Sequence, residues 1–458
     1  MEYGILCVLP VVTILVIAVT TKRTLFAMTC GLAMAAMLLG KGPKGFAGSF
    51  FDNIYAAFTN ESLQWLLVVI ALFGILIMLY EKTGAVTDFG YWAGKFIKTK
   101  KTALFGTFIL GVVIFIDDYL NNLAVGTTMK GITDRLGIPR QQLAYVVNTV
   151  AAPVCLLIPL SSWAVYFATL MGDQGVKING SSMAAYIHGL PLAFYAWFAV
   201  IICILQIIGV IPKIGPMKKA YERYERLGDV FPEGTDPELV ASVKNEMNSE
   251  QEEGKKAHPW NFLLPLIVMI VVALLTDVLK GSASGVIVAF AMYFLEKKMS
   301  FKNLLTACFD GVMSMGFVFI LSVLAFSVQN ANIELGLANY VISVTEPVMK
   351  GGFLPAVVFI VCGIYAYATG CFWDLAAIII PIVIPLSNAM GVDPIVTSAA
   401  VFSGAAFGSN TCLYGDGVIM CAQGCQIKSL DLMTTTLPYA CIAGVATVIC
   451  YLVVGFAM

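Results

Sequence analysis

The sequence predicts an all-α polytopic membrane protein made of two inverted repeats, each with a re-entrant hairpin and a discontinuous helix. Three observations predict it. Of 458 residues, 59% are hydrophobic and only 12% charged, with a mean hydropathy of +0.87, whereas a soluble domain carries about a quarter charged residues. The apolar residues fall in runs of spanning length between short polar stretches, the pattern of membrane helices and not the weak alternation of a barrel. The stretch from Ile114 to Trp163 sets polar groups among apolar runs, and a stretch of the same plan follows 254 positions later, where MGVDP (Met390 to Pro394) answers LGIPR (Leu136 to Arg140).

The composition also excludes. A net charge of −1 with scattered basic residues leaves no footprint for nucleic acid. The twelve cysteines are dispersed, mostly in apolar runs, and read as small buried hydrophobes; Cys421 and Cys425 come nearest to a pair. His188 and His258 lie at segment edges and build no metal site. No nucleophile or metal constellation marks an enzyme, no filter-like stretch marks a channel, and no cofactor is expected.

Taken in order, Gly4 to Thr20 has no basic n-region and is followed directly by a second span, so it is expected to stay as a helix. Lys22 and Arg23 separate it from Thr24 to Gly40. An amphipathic connector, Lys41 to Ser62, leads to the span Leu63 to Tyr80. The next loop holds Lys82, Lys95, Lys98, Lys100 and Lys101, which places it in the cytoplasm and the N-terminus outside. Thr102 to Ile116 is short for a span and ends at Asp117 and Asp118. Lys130, Arg135 and Arg140 follow, and a crossing would put them outside. A hairpin over 102–130, entering from the cytoplasm and turning at the aspartates, keeps them inside; such a tip must line a cavity or be buried in protein. Gln141 to Met171 can cross, but Ala152-Pro153 and Pro159 interrupt it, predicting a broken helix over 141–171 or a packing kink. An outside loop, Gly172 to Gly189, and the span Leu190 to Ile211 close the first repeat, residues 1–211.

Residues 212–260 read as a cytoplasmic linker, partly helical, mixing MKKAYERYERL with the acidic NSEQEEG. The second repeat, 261–458, runs the plan from the opposite face. Asn261 to Val278 crosses, Gly285 to Leu295 returns, Glu296, Lys297, Lys298 and Lys302 mark the inside, and Leu304 to Ala325 crosses again. An interfacial segment (Asn332 to Lys350), a hairpin over 353–388, a broken helix over 395–422 interrupted at FGSNTCLYGDG, and a span Leu437 to Ala457 follow. The displacement sets Ala405 opposite Ala151, Ser409 opposite Cys155 and Asp416 opposite Ser162. An odd number of crossings per half inverts the halves, the plan of many secondary transporters.

Polar groups at membrane depth cost several kcal/mol unless paired or hydrated, so the two breaks mark a candidate site. Adjacent on a helix, Asp117 and Asp118 would point about 100° apart and serve one ligand only if the tip is unwound. Two carboxylates in a low-dielectric cleft suit a group that releases a proton when a cation arrives. Asp374 and Asp416 are their second-half equivalents in kind. Asn121, Asn122, Asn148, Thr149, Ser161, Ser162, Thr369, Ser409, Asn410 and Thr411 supply neutral oxygens, a donor set for a hard monovalent cation. Asp117, Asp118 and Asp416 are assigned as the charged ligands of such a cation, transported or coupling. Asp134 reads as a helix cap or a partner of Arg135 at the cytoplasmic surface. Trp163 and Trp373 read as packing or interface residues, and Tyr414 stays open.

IDDYLNNLAVG, ITDRLGIPRQQLAY and the Thr149-to-Trp163 segment resemble the NhaC family of sodium/proton antiporters, within the ion-transporter superfamily. The likeness extends through TGCFWDLAAIIIPI, FGSNTCLYGD and TTTLPYA. It implies a homodimeric plasma-membrane carrier of elevator type exchanging sodium for protons; some relatives carry organic acids or amino acids. The chain departs from the family where an aspartate usually precedes the TAAPV-like segment, for it has Asn148. Where the family reads FGDH and then SPISDT, this chain has Ser409 and Asn410, then Cys412 to Asp416, with Asp416 retained. Asparagine ligates sodium but exchanges no proton in the physiological range. Two expectations follow: sodium/proton antiport, or a carrier of an organic acid or amino acid on the same scaffold, for which a broken-helix amide end suits a carboxylate.

Overall fold

A computed structural model describes residues 3–457 apart from 22, 86, 87, 90, 91, 93–96, 236–239, 241–257, 346–349, 370, 371 and 414. Apart from short 3-10 turns, the regular elements among the described residues are α-helices. Before the linker these are α1 (Leu9–Thr21), α2 (Thr24–Leu39), α3 (Pro43–Phe58), α4 (Glu61–Thr83), α5 (Lys100–Val113), α6 (Asp118–Arg135), α7 (Arg140–Leu157), α8 (Ser162–Asp173), α9 (Ser182–Gly189), α10 (Phe194–Ile208) and α11 (Pro216–Leu227). After it come α12 (Trp260–Leu275), α13 (Val278–Leu295), α14 (Phe301–Ser314), α15 (Gly316–Glu334), α16 (Leu337–Thr345), α17 (Leu354–Thr369), α18 (Trp373–Ala389), α19 (Pro394–Thr411), α20 (Asp416–Cys425) and α21 (Ser429–Ala457). Five described stretches are long and apolar enough to cross a membrane, namely Leu63–Thr83, Arg140–Asp173, Val278–Leu295, Phe301–Glu334 and Ser429–Ala457; Ser182–Leu192 with Phe194–Ile208, bent by 51°, would add a sixth. The protein is a multi-pass α-helical membrane protein.

The order of elements recurs. Helices α5, α7 and α8 begin at Lys100, Arg140 and Ser162; α17, α19 and α20 begin at Leu354, Pro394 and Asp416, each 254 positions later. The packing is reciprocal as well: α6 lies on α20, and α18 lies on α8, so each return arm rests on the segment after the break in the other half. Helices α7 and α19, buried along almost their whole lengths, form the centre. Where α6 and α20 cross, a side chain on Gly424 would come within 2.9 Å of the Asn122 and Leu123 carbonyl oxygens, and one on Gly126 within 3.0 Å of Gly424. Small residues are what let two backbones approach so closely.

Several boundaries differ from those expected. Helix α7 runs through Ala152-Pro153, because one missing donor is tolerated in a helix packed on all sides; the break falls at Ile158–Ser161. Ile158, preceding Pro159, has φ −104° and ψ 117°, the extended geometry that a following proline imposes. The second break is narrower than expected: α19 holds through Thr411, and the chain returns to helix at Asp416. Helix α13 begins at Val278, not Gly285, because the Asp277 side chain caps it by accepting from the Lys280 amide (2.9 Å). Gly281 and Gly285 remain helical where α13 packs on Ala273 and Met269 of α12. The expected span Leu304 to Ala325 is two helices, α14 and α15, meeting at Met315. The final helix begins at Ser429 and carries Pro438 within it. In the linker, α11 is helical, while the acidic run lies outside the described residues, as do Lys22, Lys95 and Tyr414.

Candidate functional site at the two breaks

The hairpin tip is unwound over residues 114–117, which separates the roles of the aspartates. Asp117 is extended (φ −151°, ψ 142°) and caps α6, its Oδ1 accepting from the amides of Tyr119 (2.9 Å) and Leu120 (3.2 Å). Its Oδ2 accepts from Ser162 Oγ at 3.0 Å. Asp118 opens the helix, and its Oδ1 accepts from the indole Nε1 of Trp163 at 2.9 Å. Neighbours on the hairpin therefore meet neighbours on α8, and the Ser162 amide donates to the Ile116 carbonyl (2.9 Å) to hold that register. Ser161 caps α8 through the Ala164 amide (3.1 Å). The aspartates and both serines are buried.

The second half closes on this tip through Gly417. A methyl group there would lie 3.3 Å from Asn122 Nδ2, 3.4 Å from Asp118 Oδ2 and 3.7 Å from Ser409 Oγ. The space left by the missing side chain on α20 is thus faced by polar atoms from α6 and α19. Asn122 Oδ1 is buried without a hydrogen-bond partner among the described residues, and half a turn of its amide would put that oxygen into the ring.

The remaining candidates divide. Asn148 donates to the Asn410 carbonyl (2.9 Å), and Asn410 Nδ2 donates to Tyr195 Oη (3.4 Å), a seam that adjoins the ring through Ser409. Thr149 and Thr411 return their hydroxyls to their own helices, at Tyr145 and Phe407. Asn121 braces the hairpin by donating to the Gly111 (2.6 Å) and Ile114 (3.0 Å) carbonyls, which the end of α5 leaves without partners. The side chains of Thr369, Asp374 and Asp416 lie outside the described residues.

One expectation is extended and one is corrected. Trp163 is a hydrogen-bond donor to Asp118 as well as a packing residue; it stacks on Phe372 with centroids 4.0 Å apart. Its place directly after the break was the available signal. Asp134 does not pair with Arg135 at the surface: it forms a fully buried ion pair with Arg140 at 2.6 Å, while Arg135 donates to the Gly131 carbonyl. Arg140 Nη1 also donates to the Cys425 carbonyl (3.3 Å) and Gln426 Oε1 (2.9 Å), and the guanidinium lies 4.1 Å from the centre of the Phe231 ring. It ties the far end of α20 to the base of the hairpin.

A cavity of about 530 Å³ leads to the tip between α4, α6, α14, α15 and α20, with Asp117 and Tyr119 among its lining. Its walls are mainly apolar, including Met78, Leu123, Phe317 and Met420. A second, much smaller void lies against Phe73, Ser162 and Trp373; Asp117, Tyr119 and Met315 border both spaces.

Residues 154–456 match the model of the Na+/H+ antiporter family, well over half of the chain. The chain belongs to that family. This Na+/H+ antiporter family member is 25% identical to an uncharacterised protein of Haemophilus influenzae, over 98% of this chain and 90% of the relative. Among solved structures, it resembles the YdaH transporter of Alcanivorax borkumensis with a TM-score of 0.60 and 13% identity, covering 95% of this chain and 98% of that one. It also resembles MtrF of Neisseria gonorrhoeae, described within a class of antimetabolite efflux pumps, with a TM-score of 0.60 and 12% identity over 90% of this chain and 84% of that one. At such identities the likeness is one of fold. The family and the fold make the protein a membrane transporter.

Proposed function

We propose that the protein is a secondary transporter of NhaC type that exchanges sodium for protons across the plasma membrane. The observation that carries this is the ring around Gly417, where Asp118 and Asn122 of one half meet Ser409 of the other. A carboxylate, a hydroxyl and, once its amide turns, the Asn122 carbonyl oxygen around a small space suit a dehydrated monovalent cation. Its arrival displaces a proton from the carboxylate pair. Because the ring is built from both halves, motion of either half opens or closes it, the geometry alternating access requires. The recurrence at 254 positions and the reciprocal packing support two repeats; the N-terminus outside rests on the basic loops, and the homodimer on the family resemblance.

The test is proton flux in proteoliposomes. Sodium pulses against an imposed pH gradient should move protons, and Asp118→Asn should reduce that movement at least tenfold while the protein still elutes as a single species. Wild-type protein that moves no protons on addition of sodium overturns the reading. The cavity favours a second reading, a carrier of an organic solute, because about 530 Å³ is far more than a sodium ion fills.

A further inference from the structure

The cavity that reaches Asp117 has a chemistry of its own. Its volume falls within the range of sites for small organic molecules, about 300–1,000 Å³. The ionisable side chains among its described lining are the carboxyl groups of Asp117 and Glu81 and the phenols of Tyr80 and Tyr119; that lining contains no lysine, arginine or histidine. An organic anion would meet carboxylates with no counter-charge. The N-termini of the two helices that meet at the tip are already engaged by side chains, α6 by Asp117 and α8 by Ser161. A cation finds the reverse: a carboxylate at the inner end, aromatic rings at Tyr80, Tyr119 and Phe317, and polarizable thioethers at Met78, Met315 and Met420. Aromatic faces attract a desolvated ammonium, and thioethers adapt to an irregular apolar body.

We propose that this cavity binds an organic monocation with an apolar or aromatic body, its ammonium end toward Asp117, and that the protein carries it in exchange for protons. The proposal rests on the assignment of the aspartate tip as the transport site and goes beyond it in naming the substrate class. No covalent step is involved: the cation enters as a proton leaves, one charge for one.

Benzyltrimethylammonium is the probe, since its permanent charge prevents it from collapsing a pH gradient as a free base. Pulses of it into proteoliposomes holding the full-length protein should move protons, and it should slow the sodium-driven signal by competition. Thr127 lines the cavity and is exposed, so Thr127→Phe narrows the entrance without disturbing the core. That variant should lower the benzyltrimethylammonium response at least tenfold more than the sodium response, and Ala124→Phe should do the same from the preceding turn of α6. If sodium moves protons while benzyltrimethylammonium neither moves them nor competes, the proposal is overturned and sodium/proton antiport stands. If the organic cation alone moves protons, the proposal stands and the sodium reading falls. If neither does, both fall. A response to benzoate in place of benzyltrimethylammonium overturns the cationic class. Equal loss of both responses in folded Thr127→Phe protein overturns the cavity as the organic subsite.

Discussion

Removing Arg140 should do more damage than removing any other arginine of the chain, and the size of the effect follows from its surroundings. Its side chain and that of Asp134 are fully inaccessible to solvent, and the pair is made at 2.6 Å. Arg140→Met leaves the Asp134 carboxylate buried without its counter-ion, a loss of about 3–5 kcal/mol. The bonds to the Cys425 carbonyl and Gln426 Oε1 go as well, but within one network such losses do not add. At roughly 2 °C per kcal/mol for a large chain, the expected drop in Tm is about 6–10 °C. Thermal unfolding in detergent, followed by tryptophan fluorescence and by loss of the monodisperse size-exclusion peak, measures it. The double variant Arg140→Met with Asp134→Leu should recover most of the loss, because apolar groups of similar volume replace a buried pair at little cost. A single variant within about 1 kcal/mol of wild type, or a double variant no better than the single, would refute the reasoning.

Gly417→Val should fill the space between Asn122, Asp118 and Ser409; transport should fall at least tenfold with a change in unfolding temperature of only a few degrees, and a fully active variant would remove the ring as the ion site. Single cysteines in place of Lys130 and Lys350 should label from opposite sides of the membrane with an impermeant reagent. Labelling from the same side would break the inverted repeat.

Much of the fold was legible in local signals. Composition and run length gave the membrane helices, since hydrocarbon admits no unpaired backbone. Pro159 marked the first break because a proline constrains the residue before it, whereas Pro153 shows that the same residue inside a fully packed helix marks nothing. The repeat displacement, read from LGIPR and MGVDP, reappears in the starts of three helix pairs. The aspartate pair was visible as charge where charge is expensive.

The sequence by itself thus marked the apolar helices, the first break at Pro159 and the residues that are costly to bury. Only the tertiary structure decided what those residues meet. Ser162 reaches Asp117 across 45 positions, Asn148 reaches Asn410 across 262, and Arg140 reaches Gln426 across 286. The cavity beside Asp117 is walled by helices from both halves. Steric and solvation preferences act within a few residues and can be read along a chain. Partners at these separations are set by how closely helices cross, and here that depends on Gly126 and Gly424 allowing α6 and α20 to touch.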